Sequence, residues 1–322
     1  MILKQRKIPI IILKLEALLR RLPQNHPKYT IIKEQLLMNL SGFNGEKAID
    51  YHLSFLPEHY KILHDIRLKT GPHFFQIDTL IFSSKFAVLL EVKNIAGTLY
   101  FDQKFHQLLR MLDGEETAFQ DPLLQVQRQE GHFQKWLQAN KLTSIPLHSF
   151  VVISKPSTII KTSPENKSLH RYVFHSELLP LKITELEKTT ISEIAPEHEL
   201  KKITRKILKH HTPLETSVLA KYKISEDDLM QGVFCPYCET VRISRANGKW
   251  YCARCDKYSK DAHTQAIRDY FFLFGNIITN QKLRHFLQIE SPSLATRILQ
   301  SLELNSIGSK KGKYYILDYT DL

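Results

Sequence analysis

The stretch Gln76-Ile-Asp78-Thr-Leu-Ile-Phe-Ser-Ser-Lys-Phe-Ala-Val-Leu-Leu-Glu91-Val-Lys93 decides how this 322-residue chain is read. Residues 74–82 and 86–92 are rich in Phe, Ile, Val and Leu and flank a short polar turn, so both are expected to be strands. Side chains two apart share a face of a strand. Gln76 and Asp78 therefore point one way, and Glu91 and Lys93 share a face of the next strand. A hairpin turning about Ser84-Lys85 sets Asp78 opposite Glu91 and Gln76 opposite Lys93. A two- or four-residue loop keeps this register, and a three-residue loop moves Glu91 to the wrong face.

Carboxylates facing each other across a strand pair repel, and among Ile77, Leu89, Leu90 and Val92 they are also partly desolvated. A divalent cation relieves both costs. Mg²⁺ takes oxygen ligands, commonly one or two carboxylates with waters and substrate phosphate, and Mn²⁺ suits the same donors. Lys93 beside Glu91 supplies a donor that can orient an attacking water or stabilise charge on a phosphoryl oxygen. The inert alternative is a surface salt-bridge cluster of Asp78, Glu91 and Lys93.

Working outward, residues 12–40 carry two apolar stripes of helical period, separated at Pro23-Gln-Asn-His-Pro27, and a third helix is expected over 46–55. Residues 60–68 read as a strand before a Gly71-Pro72 turn. Asp121-Pro122 is an N-cap with Pro at the first helical position, opening a helix through Trp136 and Leu137. The wholly apolar run 150–153 fits a strand covered on both faces, and 173–174 another. The order implies an α/β fold with a mixed sheet flanked by helices.

The combination Gly42-Phe-Asn-Gly45-Glu46, Phe75-Gln76-Ile77-Asp78, Leu90-Glu91-Val92-Lys93-Asn94-Ile95-Ala96-Gly97 and Asp121-Pro122 with Gln125 resembles the nuclease-related domain (NERD) family of the PD-(D/E)xK nuclease superfamily. It covers about residues 41–155. The resemblance implies a restriction-endonuclease-like core and metal-dependent phosphodiester hydrolysis. Asp78, Glu91 and the Val92 carbonyl would hold Mg²⁺ or Mn²⁺, and Glu46, Asp78, Glu91, Lys93 and Gln125 would be the catalytic positions. From the residues alone, Glu46 sits in the first turn of its helix, where the dipole favours a carboxylate without any catalysis. Gln125 shares a polar helix face with Gln129 and His132, of which Gln125 alone is assigned to the site. His64 and His73 read as structural.

The four cysteines, Cys235, Cys238, Cys252 and Cys255, form two CxxC pairs and occur nowhere else. Strands around Asn247-Gly248, a type I′ turn signal, complete the layout of a zinc ribbon with structural Zn²⁺. A redox dithiol would need a CxxC before a helix in a thioredoxin-like unit, which is missing. Arg242, Arg245, Lys249, Arg254 and Lys257, interleaved with Tyr237, Trp250, Tyr251 and Tyr258, suit nucleic acid by stacking and charge, or pack on the core. The net charge of +12 also points to a polyanion.

The expected domains are a helical segment at 1–40, a nuclease-like domain at 41–180, a basic helical connector at 181–230, a zinc ribbon at 231–262 and a winged-helix-like or helical domain at 263–322. In the last, Thr296, Arg297, Gln300 and Ser301 offer contacts. No apolar run near the start approaches the roughly 20 residues of a membrane span, so a cytoplasmic protein without membrane partners is expected. The function so read is a metal-dependent nuclease acting on nucleic acid, DNA above all, in processing, repair or defence, as a homodimer or in a larger assembly. The alternatives are a non-catalytic binding scaffold and a subunit active only in such an assembly.

Overall fold

The computed structural model describes residues 1–239 and 241–318, apart from the side chain of Lys311. Thr240, within the expected ribbon, and 319–322, the end of the expected last domain, lie outside the described residues. The chain forms two compact units, each discontinuous in sequence: Met1–Lys7 with Leu40–Leu214, and Ile8–Asn39 with Glu215–Leu322.

The N-terminal stretch holds β1 (Ile2–Lys4), α1 (Ile10–Arg21) and α2 (Tyr29–Leu53). This corrects the reading by periodicity, which shows no strand here and divides α2 at Gly42-Phe-Asn-Gly45. Neither glycine takes a positive φ. Gly45 serves close approach: a Cβ there would lie 2.3 Å from Asn94 Cβ and 2.9 Å from Ser154 Oγ. Glu46 is therefore in mid-helix, and a first-turn dipole does not account for it.

In the first unit a six-stranded sheet runs in the order β1-β2-β3-β4-β8-β10, from β2 (Lys61–Thr70), β3 (His73–Phe82), β4 (Ala87–Lys93), β8 (Leu147–Ile153) and β10 (Val173–His175). The β2–β3 and β3–β4 pairs are antiparallel and the others parallel, so the sheet is mixed. Asp121 caps α3 (Pro122–Ala139) by accepting from the Leu123 amide. One sheet face packs on α3 and α5 (Glu197–His210), the other on α2 and α4 (Leu179–Thr189). Val151 and Ile153 enter the first core and Phe150 and Val152 the second, so β8 is covered on both sides. Residues 98–120, which carry no reading in the sequence, form β5 (Thr98–Asp102), β6 (Gln107–Leu112) and β7 (Glu115–Gln120). With β9 (Ile159–Thr162) they make a second sheet whose Leu99, Phe101 and Leu108 join the α3 core.

The hairpin register is the expected one where the strands pair, from Thr79–Leu90 to Phe82–Ala87. One strand over, the ladder passes from His64–Thr79 to Ile66–Ile77, leaving Asp65 and Asp78 between the pairs. Asp65 is left-handed, with φ 50°. Leu63, Leu80 and Phe82 feed one core, and beyond the break Ile66, Leu68, Phe75 and Ile77 feed the same core. Both strands thus change the phase of their alternation where Asp78 stands.

The second unit contains α1, the start of α2, α6 (Val218–Tyr222) and a four-stranded sheet of β11 (Val233–Phe234), β12 (Arg242–Ala246), β13 (Lys249–Cys252) and β14 (Lys257–Ser259). Then follow α7 (His263–Phe274), β15 (Ile277–Ile278), α8 (Asn280–Leu287), α9 (Pro292–Ser301), β16 (Ser306–Ile307) and β17 (Tyr314–Ile316). The sheet order is β15-β17-β16. α7 ends at Phe274 because Gly275 follows at a φ of 99°. Arg21, fully buried, donates to Asp269 at 2.7 Å and to the Gly232 carbonyl at 2.6 Å. No described helix is long and apolar enough to cross a membrane.

Gly42 and Gly45 make a matched test. Gly45→Ala forces a contact with Asn94 and is expected to destabilise by about 1–3 kcal/mol. Gly42 faces open space, and Gly42→Ala is expected to stabilise by about 0.5–1 kcal/mol through the helix backbone alone. Thermal unfolding reads both, and shifts of the same sign would refute the close-approach account.

Candidate functional site

The phase break at Asp78 leaves its carboxylate free of a regular cross-strand partner, and Oδ2 accepts from the Val92 amide at 2.9 Å. On β4, Glu91 and Lys93 share a face as the alternation requires. Lys93 Nζ donates to Glu91 Oε1 at 2.7 Å and to Gln125 Oε1 at 3.1 Å. Gln129, one turn further along α3, donates to Glu91 Oε2 at 2.9 Å. Its own Oε1 is buried and has no hydrogen-bond partner. Gln129 is thus a site residue that the sequence reading leaves out, although the i,i+4 spacing from Gln125 carries the signal.

Glu46 reaches the site because Gly45 lets α2 touch Asn94, whose Nδ2 donates to the Ser41 carbonyl at 2.8 Å. Its partner is Arg6, just beyond β1. Arg6 Nη1 meets Glu46 Oε2 at 2.7 Å, Nη2 meets Asp50 Oδ1 at 3.1 Å, and Nη2 also donates to Thr79 Oγ1 at 3.0 Å. His64 Nδ1 lies 2.9 Å from Arg6 Nη2 and so accepts, which makes the ring neutral with its proton on Nε2. Burial, then Arg6 and Lys4, push His64 down to about 3. Arg6 and Asp50 have no spacing signal, because their contacts join residues far apart in the chain.

Burial holds Asp78 well above the ordinary carboxylate range, and repulsion from Glu91 and Glu46 adds to it. Burial likewise pushes Glu46 up to about 7 although Arg6 opposes the shift. Such groups release protons when a cation arrives, and oxygen donors of this kind fit Mg²⁺ or Mn²⁺. The structure therefore brings Asp78, Glu91, Lys93 and Gln125 together, with the Val92 amide on Asp78 and Glu46 at one side tied to Arg6.

In the second unit, the four cysteine Sγ atoms lie within 4.8 Å of one another. Cys235–Cys255 and Cys238–Cys252 are separated by 3.7 and 3.9 Å. A tetrahedral Zn²⁺ with bonds of about 2.3 Å has edges of about 3.8 Å, so the set fits zinc. Backbone amides of Cys255 and Arg254 hold the Cys252 thiol down to about 7. The β12–β13 turn has both Asn247 and Gly248 at positive φ, as a type I′ turn demands. Trp250 departs from the stacking expectation: it is buried and its indole donates to His263 Nδ1. Tyr237 and Tyr258 stay exposed, with Lys257 Nζ 4.3 Å over the Tyr237 ring and Tyr251 beside Tyr258 at 4.8 Å. On α9, Thr296 and Ser301 turn their hydroxyls to backbone carbonyls, and Arg297 and Gln300 remain exposed.

Residues 41–154 match the model of the NERD family, described as nuclease-related domain. That match lies wholly within the first unit. Among solved structures, protein VC1899 from Vibrio cholerae matches over 52% of this chain at 11% identity and a TM-score of 0.24. The match spans about a third, 36%, of that protein. A comparison with curated proteins finds no match.

Two outcomes follow. The folded state holds a proton on Glu46 up to about pH 7, whereas a free glutamate releases it near 4.5. That contribution to stability is complete below about 4.5 and lost as pH rises through about 7. His64, held near 3, acts with the opposite sign, stabilising above about 6.5 and losing that effect as pH falls. Glu46→Gln removes the first contribution and also eases the repulsion on Asp78, so in EDTA the variant should gain on wild type by roughly 3 kcal/mol between pH 4.5 and 8. A constant difference in denaturant unfolding would refute the raised carboxyl. Separately, Cys252→Ser should abolish zinc loading and unfold the second unit, because structural zinc contributes about 10 kcal/mol or more. Elemental analysis with circular dichroism checks it.

Proposed function

We propose that the first unit is a metal-dependent nuclease of the PD-(D/E)xK type that hydrolyses phosphodiester bonds, with DNA as the substrate. The convergence of Asp78, Glu91, Lys93 and Gln125 on one sheet corner carries this reading. Asp78, Glu91 and the Val92 carbonyl would hold Mg²⁺ or Mn²⁺, which when bound supplies charge neutralisation at the phosphate and an acidified water. Lys93, already between Glu91 and Gln125, is placed to orient the attacking water or to steady a phosphoryl oxygen. Gln125 fixes the Lys93 ammonium and offers its amide to substrate. Glu46 adds negative charge beside Asp78 and keeps a carboxyl able to take up or release a proton near neutral pH.

Substrate holding is assigned to three basic surfaces. On α5, Lys201, Lys202, Arg205, Lys206 and Lys209 form a basic face opposite the buried Leu200, Ile203 and Ile207. The ribbon offers Tyr237 and Tyr258 with Lys257, and α9 offers Arg297. The element order from α7 to β17, helix, strand, two helices and a hairpin, supports a winged helix. Zinc is structural, since four thiolates leave no open position. Four cysteines gathered as two CxxC pairs suit a reducing compartment such as the cytoplasm. The setting would be DNA processing, repair or defence.

The test is cleavage of labelled single-stranded, duplex and branched DNA with Mg²⁺, Mn²⁺ or EDTA. Cleavage should require metal and fall at least about a hundredfold in Asp78→Ala and Glu91→Ala. Undiminished DNA binding without cleavage, equal in wild type and both variants, would leave a non-catalytic scaffold.

A further inference from the structure

We propose that Arg6 is a resident cation for the Glu46–Asp50 side of the site, so that the site takes one divalent cation, on Asp78 and Glu91. The inference rests on the nuclease reading of the same residues.

Arg6 is almost fully buried, with its side chain 4% exposed. Its Nε meets both Asp50 oxygens at 3.2 Å, Nη1 is on Glu46, and Nη2 reaches Asp50, Thr79 and His64. A guanidinium so engaged occupies the space between two carboxylates that a second metal ion would need. It is also the better occupant there, because planar Arg forks match carboxylates and keep their charge at any working pH.

The charges agree. Glu46, Asp50, Asp78 and Glu91 bring four negative charges when ionised, and Arg6 and Lys93 bring two positive. His64 is neutral, and Lys4 offsets Asp65 at the edge, 3.9 Å away. Two negative charges remain, which one divalent cation cancels. Glu46 also fails to join Asp78 and Glu91 in a cage. Among the described residues, the cysteines are the one group of three or more His, Cys, Asp or Glu with ligand atoms within 4.8 Å.

An independent observation locates the remaining demand. Gln129 is 8% exposed and donates to Glu91, while its Oε1 is buried without a partner. A buried amide oxygen left this way costs about 1–3 kcal/mol unless something supplies a donor or a positive charge. Among the described residues no such orphan lies on Arg6, Glu46, Asp50, His64 or Thr79. The unsatisfied half of the site is the Asp78–Glu91 half.

Mn²⁺ titration of the zinc-loaded full chain, followed by the electron paramagnetic resonance of free Mn²⁺, tests the proposal. Wild type should bind one Mn²⁺ per chain and Asp78→Asn none. Arg6→Gln should bind a second, which disappears in Arg6→Gln combined with Glu46→Gln. Glu46→Gln alone should still bind one Mn²⁺ per chain, on Asp78 and Glu91. Two cations in wild type, a single cation in folded Arg6→Gln, or none in folded Glu46→Gln would each overturn it. Should Arg6→Gln not fold, the wild-type count and Glu46→Gln still decide. No Mn²⁺ in wild type would overturn the nuclease reading too, whereas two would overturn this inference alone.

Discussion

Four carboxylates, Glu46, Asp50, Asp78 and Glu91, share one corner of a sheet, and their mutual repulsion is the constraint that the neighbouring structure answers. Each answer comes from a different element. The residue after β4's Glu91-Val92 supplies the Lys93 ammonium, the turn after β1 supplies Arg6, and α3 supplies two glutamine amides. Three backbone accommodations accompany them. Gly45 admits Asn94, Asp65 takes a left-handed turn inside a strand, and Asp121 caps α3 so that Gln125 begins its second turn. The cost of collecting like charges is thus spread across the whole first unit.

Much of this was legible. The four-residue loop of the β3–β4 hairpin preserved the symmetric register, so Glu91 and Lys93 could be placed on a face from alternation alone. Alternation misleads one strand away, because both strands reverse their phase at Asp65 and Asp78 while the pairing register stays unbroken, and no residue type there announces it. Glycine misled in a different way. Gly42 and Gly45 look like a helix break, yet the second is required by Asn94, a neighbour distant in sequence, which no local rule sees. Arg6 was beyond reach for the same reason. Gln129 was within reach and was passed over, since a polar helix face is ambiguous until its neighbour is known.

The second unit follows a similar logic with softer donors. Both CxxC turns end on a left-handed residue, Glu239 at φ 58° and Asp256 at φ 54°, positions where glycine would be the easy choice. The cysteine spacing was readable because metal chemistry dictates it. The fate of Trp250 was not, because an aromatic among basic residues looks the same whether it faces solvent or core. Arg21 and Asp269 show that burying opposite charges is a habit of this chain, and there the pair joins α1 to α7.

Arg6 also separates two notions of a domain. The residues that spell the nuclease motif lie within 41–154, but the body that folds around them draws on Met1–Lys7 at one end and runs to Leu214 at the other. A fragment trimmed to the motif would retain every recognisable letter. It would lack the outermost strands β1 and β10, the helix α5 that closes one core, and the guanidinium that makes Glu46 and Asp50 tolerable neighbours. Its edges would be raw and its acidic corner under-neutralised, so the legible part of this molecule is smaller than the compact unit that encloses it.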